Sequence, residues 1–72
     1  LLEQWTPLVF KLARRRARQL GLDPDELAAA SLFRAVRLLP GYDPRKGAMG
    51  TWLGYVVFTA AGKAARERAA ER

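Results

Sequence analysis

Apolar residues recur at intervals of three and four in three stretches of the chain, the spacing of helices with one buried side. In the last stretch they are Met49, Trp52, Leu53, Val56, Val57, Ala60 and Ala64. The turn residues Gly41, Asp43-Pro44 and Gly47 stand just before it. We therefore expect a turn and then a helix from Ala48 to about Ala70, which would span roughly 35 Å at 1.5 Å per residue.

Residues 1–20 are typical of a first helix, either with Thr6 as its cap and Pro7 as its first residue or with an earlier start at Leu2. Its predicted apolar side consists of Trp5, Leu8, Val9, Leu12, Ala13, Ala17 and Leu20. Its opposite side carries Lys11, Arg14, Arg15 and Arg18. These four cations either form a phosphate-binding strip or simply face solvent.

The segment after Gly21 combines the signals that open a second helix. Asp23 can cap it, Pro24 can take its first position, and Glu26 completes an arrangement similar to a capping box. Both of these acids are also candidate partners of Arg16, which falls inside the apolar arc of the first helix. We expect the stem of Arg16 to pack against the core and its guanidinium to reach Asp23 or Glu26.

The second helix is predicted from about Pro24 to Leu39. Its buried side is expected to hold Leu27, Ser31, Ala35, Leu38 and Leu39, with Ala28, Leu32 and Val36 at the margin. Its far side holds Glu26, Ala29, Ala30, Phe33 and Arg37. An exposed aromatic among alanines is typical of a partner-docking surface. The alternative is that another helix of a larger domain covers Phe33.

The non-core side of the last helix mixes aromatic and basic residues. It carries Tyr55, Phe58, Thr59, Gly62, Lys63 and Arg66, and Arg45 and Lys46 precede it on an exposed loop. Such a surface can stack unpaired bases. A small rotation of the helix would instead bury Phe58.

Composition favours a small binding domain that meets a polyanion or an acidic protein surface. The chain has 72 residues, 13 basic against 7 acidic side chains and a net charge of +6. Its size and lack of strand patterns predict a single all-α domain, a compact bundle of three main helices plus a short turn before the last helix. The missing initiator methionine suggests a fragment of a longer protein, and the absence of a signal sequence or an apolar run long enough to span a bilayer predicts a cytoplasmic protein without membrane contact.

Catalytic chemistry is not expected from these residues. The chain has no histidine and no cysteine, which removes the commonest acid–base catalyst and the usual zinc ligands. No glycine-rich phosphate loop is present. We therefore predict neither enzyme activity nor a cofactor.

Three motifs together resemble the region-2 domain of bacterial sigma factors, most of all the compact extracytoplasmic-function class. They are LARRRARQLGLDPDEL, LFRAVRLLPGYDPRKG and TWLGYVV, in that order. The strongest parts are Gly21–Leu27, Tyr42–Gly47 and Thr51–Leu53, and the resemblance covers nearly the whole chain.

The resemblance implies a role in transcription initiation. Its implied partners are core RNA polymerase, through the clamp coiled coil, and promoter DNA, with room for an inhibitory partner of the anti-sigma class. The implied polymerase-facing residues are Glu26, Ala29, Ala30, Phe33 and Arg37. The residues implied to open the promoter minus-ten element and hold a flipped base are Tyr42, Arg45, Lys46, Met49, Thr51, Trp52, Tyr55, Phe58, Thr59, Lys63 and Arg66.

Two departures from the family pattern fall on these surfaces. Ala29-Ala30 stands where the family usually has Gln-Glu, which removes two polar anchors of polymerase docking. The stretch 54–59, GYVVFT, replaces the family's Tyr-Arg-Ile-Ala-Arg-Asn. Two alternatives therefore stand beside the promoter-binding hypothesis: a diverged sigma-like protein–protein interaction module without promoter recognition, and a nonspecific nucleic-acid binder.

Overall fold

Three α-helices make up the fold, as the apolar spacing predicts. The computed structural model describes residues 3–71. The helices are α1 (Thr6–Leu20), α2 (Pro24–Leu38) and α3 (Met49–Ala70), and each packs against the other two. Single 3-10 turns, Glu3–Trp5 and Leu39–Gly41, precede α1 and follow α2. The all-α prediction is confirmed.

The ends of α1 follow from local backbone chemistry. Thr6 is the first residue of the helix rather than its cap, and the side chain of the N-cap residue, Trp5, makes no capping hydrogen bond. The alternative start at Leu2 lies outside the described residues. At the other end Gly21 has φ of 69°, and its N–H donates to the carbonyl of Ala17. Glycine adopts this left-handed conformation without steric cost, which explains why the helix stops there.

The start of α2 is held by the predicted cap. The Asp23 carboxylate accepts hydrogen bonds from the backbone N–H groups of Asp25 at 2.9 Å and Glu26 at 3.3 Å. Pro24 occupies the first helical position, where its missing N–H costs nothing. The helix ends at Leu38, one residue before the predicted boundary.

The core is built from small side chains on all three helices. Its fully buried apolar residues are Val9, Ala13, Ala17, Leu27, Ala28, Ala35, Leu53, Val56, Val57, Ala60 and Ala61. Ser31 is also buried, and its hydroxyl donates to the Leu27 carbonyl at 2.7 Å, so no polar atom of Ser31 is stranded. The many alanines let the helix axes approach closely, because interaxial distance depends on the side chains at the contact.

Two apolar residues of α2 are not where the helical arc predicts. Leu38, expected in the core, is 43% exposed, and Val36, expected at the margin, is 60% exposed. Leu38 lies in the last turn of α2 at the rim of a groove between α2 and α3. Val36 does not line that groove and is exposed, so the predicted arc was too wide.

The last turn of α3 is fastened to the turn between α1 and α2. The Arg68 guanidinium donates a hydrogen bond to the carbonyl of Gly21. This contact joins residues far apart in the chain and places the end of α3 beside the start of α2. Within residues 3–71, no helix is both long and apolar enough to cross a membrane.

Candidate nucleic-acid interface

The exposed side of α3 presents two aromatic rings to solvent. Tyr55 is 64% exposed and Phe58 is 56% exposed. They lie away from the buried Leu53 and Val57, as helical geometry requires for residues at these offsets. The prediction that both rings lie outside the core is confirmed, and the alternative in which rotation of the helix buries Phe58 is wrong.

Arg16 contacts this aromatic surface instead of an acid. Its guanidinium carbon lies 5.0 Å from the centroid of the Phe58 ring, which is within cation–π range. Arg16 is half-buried, as predicted for its stem. The predicted pairing with Asp23 or Glu26 is wrong, because Arg16 turns toward α3 and not toward the start of α2.

Tyr42 and Trp52 brace the loop against the start of α3. Their ring centroids are 5.1 Å apart with the planes tilted by 48°. The Tyr42 hydroxyl donates to the Gly47 carbonyl at 2.9 Å. Both rings are half-buried, as is Met49, whereas Thr51 is exposed. Tyr42 and Trp52, both predicted to face DNA, therefore also contact each other.

Asp43 organises the loop that carries Arg45 and Lys46. Its carboxylate accepts from the Arg45 backbone N–H at 2.9 Å and from the Arg45 guanidinium Nε at 3.2 Å. The side-chain hydrogen bond from Arg45 is the main cause that lowers the pKa of Asp43 below its usual value of 3.8. The positive charge of Arg45 is consequently balanced in part, while Lys46 forms no salt bridge with a residue in the range 3–71.

Lys63 lines the α2–α3 groove, and Thr59 is hydrogen-bonded to Arg34, which also lines it. The Arg34 guanidinium donates from Nε to the Thr59 hydroxyl at 3.1 Å, and that hydroxyl donates to the Val56 carbonyl at 2.9 Å. Lys63 lines the groove together with Phe33. The predicted DNA-facing set is thus divided between two surfaces, with Tyr55 and Phe58 on one and Thr59 and Lys63 at the edge of the other. Arg66 is exposed one turn beyond Gly62.

The outward side of α2 is exposed as predicted. All five residues expected there are exposed: Glu26, Ala29, Ala30, Phe33 and Arg37. Phe33 is 66% exposed, and the Arg37 guanidinium carbon lies 5.9 Å from the centroid of its ring. Phe33 and Arg37 border the α2–α3 groove, which has a volume of about 370 Å³. Within residues 3–71, no helix covers Phe33, as the alternative interpretation would require.

Arg34 was missed in the sequence analysis although it lines the same groove. It lies three residues before Arg37, a spacing that puts both on one side of a helix. That spacing could have identified it. Its half-buried position and its bond to Thr59 depend on where α3 crosses α2, which the sequence does not reveal.

A second depression, at the α1–α2 turn, is acidic. Its lining includes Asp23, Glu26, Glu67 and Glu71, with Arg68 among them. Glu26 therefore borders this acidic end as well as the outward side of α2. No group of three or more potential ligands in the part of the chain that the structure describes is arranged to hold a metal ion.

Comparison with known proteins agrees with this architecture. The family model described as Sigma-70 region 2 matches residues 1–71. Searches of curated proteins and of solved structures found no match. The match extends over all three helices and the loop before α3, which together carry every surface described above. This chain therefore belongs to the sigma-70 region 2 family.

Proposed function

We propose that this domain acts in transcription initiation by binding core RNA polymerase through the outward side of α2 and unpaired promoter DNA through the exposed side of α3. Region 2 domains of sigma factors are transcription initiation domains and not enzymes.

The exposure of Tyr55 and Phe58 on α3 carries the proposal for DNA. Burying aromatic rings would stabilise a domain of this size, whose core is small. Both rings nevertheless remain more than half exposed. Stacking of a base on such a ring is worth about 1–3 kcal/mol. That gain is comparable with the few kcal/mol needed to take a base out of a duplex stack.

Exposed cations on α3 and on the loop before it supply the electrostatic part. Lys46 and Arg66 are exposed and form no salt bridge within residues 3–71. Arg45 contributes less because Asp43 is beside it. Phosphate contacts by such side chains position a strand without reading its sequence. Specific recognition of the minus-ten element would accordingly depend on the rings and on the exposed Thr51.

The outward side of α2 fits a protein partner. Phe33 is the most exposed large apolar residue of the described chain, and Arg37 and Lys63 flank it in the groove. Exposed aromatics and arginines are the commonest anchors of protein interfaces. With Ala29-Ala30 on the same helix face, docking would depend on Phe33 and these cations, and the favoured partner surface is apolar with acidic residues at its edge.

The second candidate function is a protein interaction module without promoter recognition. The groove beside Phe33 favours this function, because neither Tyr55 nor Phe58 lines it. A protein could bind there without any contact to these two rings. Under this alternative the domain binds a protein through α2, and Tyr55 has no nucleic-acid ligand.

Binding of labelled single-stranded oligonucleotides tests the DNA proposal. A minus-ten-like oligonucleotide should bind more tightly than a scrambled one, and Tyr55→Ala should cost about 1–3 kcal/mol of binding to the former. Tyr55→Phe, which keeps the ring, serves as the matched control, and circular dichroism checks that helicity is intact. Equal affinity for both oligonucleotides would indicate a nonspecific binder, and no measurable binding would leave the protein-interaction alternative.

A further inference from the structure

Arg16 leaves the outer cationic side of α1 and turns toward α3. The other basic residues of α1 line a shallow depression on the outer surface: Lys11, Arg14, Arg15 and Arg18. Arg16 is instead half-buried, with its guanidinium over the ring of Phe58. Phe58 keeps 56% of its surface exposed with the guanidinium in place. A cation from α1 and a ring from α3 are therefore adjacent, and the ring remains accessible to a ligand.

The hydrogen-bond donors of Arg16 have no acceptor within residues 3–71. Two other arginines near α3 already have acceptors: Arg34 donates to the Thr59 hydroxyl, and Arg68 donates to the Gly21 carbonyl. A planar guanidinium over a ring leaves N–H donors at its edge for a second partner. These donors match the oxygens of a phosphate in geometry and charge.

A nucleotide combines the two features that this pair can recognise, a flat ring and an attached anion. We propose that Arg16 and Phe58 form one nucleotide-binding site that spans α1 and α3, in which a base stacks on Phe58 and Arg16 binds the adjoining backbone phosphate. The site rests on the proposed function, since its occupant is the same unpaired strand. It adds a residue of the first helix to the DNA-binding surface and gives Phe58 a fixed phosphate partner.

The position of Arg16 also explains how the ring can stay outside the core. Its cation–π contact holds Phe58 against α1 from one side, which restricts the ring before DNA arrives. A side chain ordered in advance loses less conformational entropy on binding. Arg16 thus acts both as a phosphate ligand and as a positioning residue for Phe58.

The test uses the full 72-residue chain and a short fluorescently labelled single-stranded oligonucleotide over a series of salt concentrations. Arg16→Met keeps most of the stem and removes the charge. It should weaken binding about tenfold, the value of one charged hydrogen-bonded contact, and reduce the log–log salt slope by about 0.7. Lys11→Met removes an equal charge from the outer side of the same helix and should change neither quantity. Arg16→Lys should keep the salt slope but lose affinity, because an ammonium group cannot stack flat on the ring.

A double substitution tests whether the two residues form one site. In a Phe58→Leu background, Arg16→Met should have a much smaller effect on affinity than it has in the wild-type protein. The inference is overturned if Arg16→Met behaves like Lys11→Met, or if its effect is undiminished without the ring. If Arg16→Met lowers the melting temperature, Arg16→Lys replaces it in the double substitution, because lysine keeps the stem and the charge. The affinity lost by Arg16→Lys is then compared with and without the Phe58 ring.

Failure of this inference and failure of the proposed function give different results. If Tyr55→Ala weakens binding and Arg16→Met does not, only the Arg16 site is rejected. If neither of these substitutions nor Phe58→Leu changes the affinity, the α3 surface does not bind the strand and both proposals are rejected.

Discussion

At the scale of single residues, Asp43 is the side chain that most clearly sets a local structure. Its carboxylate closes the turn by accepting from the Arg45 backbone and also pairs with the Arg45 side chain. Asparagine could replace the first interaction but not the charge of the second. The ionised form is therefore favoured in the folded protein, which lowers the pKa of Asp43.

The lowered pKa predicts an acid-dependent contribution of Asp43 to stability. A carboxylate whose pKa is depressed by folding stabilises the fold above its unfolded pKa, and this contribution is lost as the pH falls through the folded value. The melting temperature of the wild type should therefore exceed that of Asp43→Asn at neutral pH, and the difference should shrink as the pH falls below 3.8 and through the lower folded pKa of Asp43. Thermal melts of both proteins across this range provide the measurement. A difference that does not depend on pH would show that the charge of Asp43 has no part in it.

At the scale of helices, the boundaries were predictable because their causes are local. Asp23-Pro24 opens α2 and Gly21 closes α1 through contacts within a few residues. Which neighbouring helix each side of a helix faces was less predictable. A helical wheel gives the angle at which Arg16 projects, but it does not say whether α2 or α3 lies there. The same gap explains why Thr59 and Lys63 were grouped with Tyr55, although the packing of α2 on α3 places Lys63 in the groove and Thr59 against Arg34.

The outward side of α2 yields a prediction for partner binding. Phe33→Asp should cost at least about 2 kcal/mol of binding to core RNA polymerase, the threshold of an interface hot spot, because it replaces the proposed aromatic anchor with a charged side chain. It should leave the melting temperature nearly unchanged, since Phe33 is 66% exposed. Pull-down with purified core enzyme measures the binding.

Val36→Asp is the matched control for this experiment. Val36 is 60% exposed on the same helix but does not line the groove. The Val36→Asp variant should therefore bind core RNA polymerase as the wild type does. Equal loss in both variants would mean that the groove beside Phe33 is not the docking surface, and unfolding of Phe33→Asp would mean that this ring supports the core.

At the scale of the whole molecule, the fold was largely predictable and the division of its surfaces was not. Three amphipathic stretches joined by short turns allow few arrangements, and the resemblance carried by Gly21–Leu27 and Tyr42–Gly47 indicated which one. The pairing of Phe58 with Arg16 and the balancing of Arg45 by Asp43 are products of packing. They decide which cations remain available to a ligand, and composition alone cannot show that.

The net charge of +6 predicts a strong dependence of DNA binding on salt. If about four phosphates are contacted, the logarithm of the binding constant should fall against the logarithm of salt concentration with a slope of about −3 to −4 on duplex DNA and a smaller slope on single strands. Titrations of both DNA forms over the same salt range measure it. A flat response would contradict nucleic-acid binding and favour the protein-interaction alternative.

The acidic depression at the α1–α2 turn has a consequence for how the molecule meets a polyanion. Asp23, Glu26, Glu67 and Glu71 gather where α3 finishes, whereas Lys46 stands ahead of its beginning. The bundle is 41 Å long, so the two poles are separated by several Debye lengths at physiological ionic strength. A charge acts over about one Debye length, roughly 8 Å under these conditions, so these carboxylates repel a strand only where it comes close to the last turn of α3. The loop that carries Lys46 lies beyond that range, and we expect it to be the end of the bundle that a strand approaches without repulsion from the carboxylates of the depression.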